Sequence, residues 1–184
     1  MPAGSERLGS DLGDVALDLN NGCGSSVVAM ARSNATWPEG LASIGALRFA
    51  RRSAHFEATV RFYRDLVGLP LCATFGDSFG SNGAIFGLPR SSLTFEIVEA
   101  TEPVAVDSHE QLCLYFPDRA AQQRATATLV ASGANPVESH PYWAATGAVT
   151  YRDPDGREVV FAPFVFGVNE PAEGGASGQH WTAP

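Results

Sequence analysis

The chain has 184 residues, 45% of them hydrophobic and 17% charged, enough for one globular domain with a real core or two small modules sharing one. Its net charge of −8, from 12 basic and 20 acidic residues, excludes a general nucleic-acid binder and an anionic membrane surface as partner. No apolar run approaches the roughly 20 residues a membrane helix needs, and the N-terminus lacks a signal-peptide pattern, so the cytoplasm is the expected location.

Residues 1–44 are rich in Gly, Ser, Asn and Asp and read as a disordered or loosely ordered extension. Turn signals occur at 20–24, without the Lys-Ser/Thr ending of a phosphate loop. Residues 167–184 read as a solvated tail, in which His180 and Trp181 carry no pattern. The regular part is 45–166.

Within it a strand is predicted over 46–50, then a helix over 53–67. Phe56, Val60, Tyr63 and Val67 fall on one stripe of that helix, and Gly68 and Pro70 stop it. Strands follow over 71–75 and 83–87, with a turn at Gly76 and Asp77 between them, and a strictly alternating strand over 92–99. After a linker the order repeats. A strand is predicted over 111–116, and Asp118 caps a helix over 119–132 that carries Ala121, Ala125 and Leu129 on one stripe. A weak strand over 135–139, a better one over 145–152, a type I turn at 153–156 and a last strand over 157–163 complete it. The expected fold class is therefore α+β: two βαβββ modules, 45–100 and 108–166, whose curved, cup-shaped mixed sheet carries its helices on the outside.

Each strand has a greasy face, expected under the helices, and a mixed face, expected to line a hollow suited to a small ligand. Leu47 and Phe49 oppose Arg48 and Ala50; Leu93, Phe95 and Ile97 oppose Thr94, Glu96 and Val98. Leu112, Leu114 and Phe116 oppose Gln111, Cys113 and Tyr115, and Val159 and Phe161 oppose Glu158, Val160 and Ala162. Cys23, Cys72 and Cys113 are odd in number and widely spaced, so no disulfide framework is expected; Cys72 and Cys113 read as buried, inert thiols.

The segments FYRDLVGL (62–69), FEIVE (95–99) and YRDPDGREVVF (151–161) together resemble the vicinal-oxygen-chelate superfamily, the group of glyoxalase I, bleomycin-resistance proteins, fosfomycin-resistance enzymes and extradiol dioxygenases. FGLP (86–89) and PYW (141–143) are similar to a small bacterial subgroup of it. The resemblance implies paired βαβββ modules, a homodimer as the arrangement that often completes the cup, and a divalent metal held from four hollow-facing positions. Carried over from the two signatures, these are Arg48, Glu96, Gln111 and Val160. Only Glu96 is an ordinary ligand: Arg stays protonated without a lone pair, Val has nothing to donate and Gln is a weak donor. No metal and no cofactor is expected unless His109 slips onto the Gln111 face. Arg48 and Glu96 are expected instead to form a buried polar anchor, either as structure or as recognition for an anionic or carbonyl-bearing ligand.

Tyr142 and Trp143 follow His140 on a loop, where they either wall a ligand site or plug the end of the core; Tyr115 is placed to line the hollow. The candidate ligand-binding set is thus Arg48, Glu96, Gln111, Tyr115, Tyr142 and Trp143, with a small organic ligand as partner. His55 reads as a helix cap, Arg51 and Arg52 as solvated or salt-bridged, and Asp153 and Asp155 as turn-formers. Three function classes follow: a metal-free small-molecule-binding protein, a superfamily enzyme (lyase, isomerase or dioxygenase), and a module whose hollow is filled by its own side chains.

Overall fold

The computed structural model describes residues 41, 43–88, 92–107 and 109–165. The expectations for 1–40 and for the C-terminal tail, with Cys23, His180 and Trp181, lie outside them. The architecture is α+β. In chain order come β1 (Leu47–Ser53), α1 (Phe56–Arg61), a π-helical turn (Phe62–Leu66), β2 (Leu71–Ser78), β3 (Ser81–Gly87) and β4 (Leu93–Glu99). Then follow β5 (Gln111–Tyr115), α2 (Arg119–Ala131), α3 (Pro141–Ala145), β6 (Val149–Arg152) and β7 (Glu158–Ala162). The strands make two hydrogen-bonded mixed sheets, ordered β1-β4-β3-β2 and β5-β7-β6. In each the first strand pairs parallel with the last, and the other pairs are antiparallel.

One core joins the two modules on the helix side of both sheets. Phe62 and Tyr63 from the π-helical turn, Ala84 and Phe86 from β3, and Phe95 and Ile97 from β4 pack in one cluster with Leu129, Tyr151, Val159 and Phe161 of the second module. Gly68, at φ +81, ends the first helical segment as expected. Gly83 is required for another reason: a Cβ there would come within 2.2 Å of the Phe75 ring, which lies on it.

Several boundaries differ from the expectation, each for a local reason. Ser53 belongs to β1 rather than to the helix, because it bonds Thr59 and closes the strand against Ala100. The β2–β3 turn sits at Phe79 and Gly80, not at Gly76 and Asp77. Asn82 Oδ1 accepts from the Asp77 N–H at 2.8 Å and carries the pairing past an irregularity to Ser78 and Ser81. The weak strand over 135–139 reduces to one bridge between Val137 and Thr150, since Pro136 has no N–H to give. The PYW segment is a short helix rather than a loop, with Pro141 at its start. Asp118 caps α2, accepting from the Ala121 N–H at 2.7 Å. The buried face of α2 includes Gln122 and Thr126 as well as Leu129, because Gln122 Nε2 donates to the carbonyls of Phe161 and Gly147.

Three other expectations are corrected. Leu47 and Phe49 do not lie under a helix: they stand 59% and 52% exposed, because β1 is a sheet edge and α1 begins only at Phe56. His55 makes no side-chain cap to α1; its Nδ1 instead meets Asp155 at 3.1 Å. Cys72 is exposed on edge strand β2, its thiol over Gly87, whereas Cys113 is half-buried. Burial, reinforced by the nearby Glu158 carboxylate, pushes the Cys113 thiol up to about 11. At pH 8 about one Cys113 in a thousand is then a thiolate. Peptide mapping after brief iodoacetamide treatment is expected to show Cys72 alkylated well before Cys113; the reverse order would contradict the burial of Cys113.

Candidate functional site

Strand register shows which residues share a face with the four inferred positions. Arg48 lies opposite Thr94, and Ala50, two residues on, opposite Glu96. The second module repeats this geometry: Gln111 lies opposite Glu158, and Cys113 opposite Val160. Alternation therefore places Arg48 and Glu96 on the concave face of the first sheet, and Gln111 and Val160 on that of the second.

In the first sheet, Arg48 Nη1 donates to Glu96 Oε2 at 3.0 Å and Nε reaches Thr94 Oγ1 at 3.4 Å. The pair is formed as expected but is not buried: the Arg48 side chain is 52% exposed and Glu96 13%. A pair this open contributes little to stability, about 0–1 kcal/mol. What it provides is a guanidinium held in one place, with Nη2 unpartnered among the described residues.

The second concave face is closed. Trp143 of α3 lies over it, buried with Val160, Ala162 and Phe164. Its Nε1 donates to Gln111 Oε1 at 3.0 Å, while Gln111 Nε2 donates to Glu158 Oε2 at 2.6 Å. The Tyr142 ring meets Trp143 edge-on at 4.7 Å, and Tyr115 lies 5.9 Å from Phe164 and 6.4 Å from Trp143. Trp143 thus fills the hollow and Tyr142 leans against it, while Tyr115 stays 40% exposed at the rim.

The donor set does not fit a divalent ion. Arg48 and Val160 have no lone pair to offer, Val160 lies wholly buried near Trp143, and both ends of the Gln111 amide are engaged. The His109 side chain is exposed, with its Nδ1 3.4 Å from Asp107. The structure unites Arg48 with Glu96, and Gln111 with Trp143. Among the described residues, no hydrogen bond or ion pair of these four joins the first pair to the second. Reading the sequence missed Thr94, Glu158 and Phe164. For Glu158 the signal was available, since alternation puts it beside Val160; Phe164 lies past the last strand, where periodicity gives no face.

Two family models match the chain, the YycE-like N-terminal domain over residues 47–98 and the YycE-like C-terminal domain over residues 110–163. Protein YycE of Bacillus subtilis (strain 168) is 32% identical over 120 residues, spanning 62% of this chain and 85% of that relative. The chain belongs to the YycE-like family. The crystal structure of Bacillus subtilis YycE has the same fold, with a TM-score of 0.58 at 31% identity over 65% of this chain and 89% of that one. The fosfomycin resistance protein FosX of Listeria monocytogenes, at 13% identity, shares the fold alone, with a TM-score of 0.52 over 71% of this chain and 97% of that one. With its YycE-like domains and the fold of YycE, this chain is a member of the vicinal-oxygen-chelate superfamily, as the sequence signatures implied. Among the described residues, no helix is long and apolar enough to cross a membrane.

Proposed function

We propose that this YycE-like protein binds a small organic ligand on the concave face of its first module, in the cytoplasm, without the metal centre of its superfamily. The observation that carries this reading is Arg48. Glu96 and Thr94 fix its guanidinium, and a half-exposed nitrogen is left to donate to a carboxylate, phosphonate or carbonyl oxygen. The second module does not offer an equivalent opening, because Trp143 occupies it. A homodimer is the arrangement we favour: Leu41, Ile44, Leu47 and Phe49 expose apolar surface beside and along β1, a sheet edge among the described residues, which a second copy would cover.

Thermal unfolding of the purified protein with aromatic carboxylates, alkylphosphonates, and zinc, nickel and manganese salts tests the reading. An organic anion at about 100 times its Kd is expected to stabilise by about 2.7 kcal/mol. Arg48→Ala should abolish that shift while leaving the unliganded Tm nearly unchanged. Saturable stabilisation by one metal ion per chain would favour the metalloenzyme reading instead. An anion shift that survives in Arg48→Ala would remove Arg48 from the site.

A further inference from the structure

The turn at 153–157 carries more buried charge than a turn needs. Asp153 already shapes it, accepting from the N–H groups of Asp155 and Arg157 at 3.0 and 2.9 Å. Within the turn the Asp155 side chain is bonded only by that of Arg157, and both side chains are only 2% exposed. Its carboxylate is spent on the other module. It accepts from the backbone N–H groups of Ala54 and His55 at 3.0 and 3.2 Å, from His55 Nδ1 at 3.1 Å and from Thr59 Oγ1 at 3.2 Å. Burial alone would raise the Asp155 carboxyl; hydrogen bonds from His55 and Ala54 help to outweigh it and hold it below the usual carboxylate range.

Further contacts follow the same seam. Arg157 donates to Asp155 at 3.2 Å and to Glu110 at 2.6 Å, and Arg51 of β1 lies 3.7 Å from that Glu110. Tyr63 Oη, bonded by Arg51, donates to Asp153 at 2.9 Å. Arg51 is thus buried and paired across the modules rather than solvated, and Asp153 and Asp155 are more than turn-formers. The two modules also share an apolar core, but the hydrophobic driving force is by itself non-directional. A buried carboxylate is bonded directionally. Its four first-module donors and Arg157 converge on it in one relative orientation, and any tilt strands a desolvated charge.

We propose that the Asp155 side chain is a latch that fixes the orientation of the second module on the first, and with it the mutual placement of the two concave faces. This stands independently of any ligand. Backbone residual dipolar couplings on the full chain test it. In the wild type, one alignment tensor should fit β3–β4 and β6–β7 together. Asp155→Asn keeps the shape but removes the charge; it is expected to require two tensors, with amide exchange over 47–59 at least tenfold faster. Thr59→Val, which leaves the turn untouched, should give the same pattern at smaller amplitude, and supplies the test if Asp155→Asn does not fold. Ile97→Val, trimming a buried residue of the first module, should lower Tm and keep one tensor. If Asp155→Asn, or failing it Thr59→Val, also keeps one tensor and wild-type exchange over 47–59, the latch is refuted.

Discussion

Trp143→Ala is expected to lower the unfolding free energy by about 3–5 kcal/mol, the range for truncating a large buried aromatic. Trp143 is 8% exposed and packs with Val160, Ala162 and Phe164, so its removal leaves a cavity against the second sheet. The loss also strands Gln111 Oε1, which accepts from the indole N–H at 3.0 Å. Trp143→Phe should recover most of the packing but not the hydrogen bond, and so fall between Ala and wild type. Urea unfolding followed by circular dichroism measures all three. A cost below about 1 kcal/mol for the alanine variant would mean that Trp143 does not seal this face, and would reopen the second hollow as a ligand site.

Replacing Arg157 by Met is expected to be as damaging, at about 3–5 kcal/mol, for an electrostatic reason. The substitution keeps volume and an apolar stem. It removes the cation that lies 2.6 Å from Glu110 and 3.2 Å from Asp155, and so leaves a carboxylate that is only 2% exposed without its guanidinium. Arg157→Lys should recover only part of the loss, because one ammonium does not reproduce two separately directed N–H donors. By contrast Arg48→Ala, acting on a half-exposed pair, should cost under about 1 kcal/mol. Denaturation midpoints of the three variants under one set of conditions give the ranking. If Arg157→Met and Arg48→Ala proved equally mild, the charge in the seam would be solvated rather than buried.

The sequence by itself determined the repeated strand–helix–strand order and the superfamily resemblance, which implied the four positions Arg48, Glu96, Gln111 and Val160. These are local or periodic signals: alternation in the strands, the stripe of the first helix, the cap at Asp118, the glycine at 68, and the two signature segments. Alternation also put Glu96 on one face with Arg48, and Val160 on one face with Gln111, as the strand register has them. It could not tell that β1 is a sheet edge among the described residues, so Leu47 and Phe49 appeared to belong to the core. Nor could it choose between wall and plug for Trp143, because that depends on where α3 lies over β5 and β7. The tertiary structure alone decided that Trp143 fills the hollow of the second module while Arg48 stays open in the first. It also decided that Asp155, spelled in the sequence as part of an ordinary turn, reaches Ala54, His55 and Thr59 about a hundred residues away. Short-range propensity explains why the turn forms; only the packing of one module on the other gives its second carboxylate a purpose.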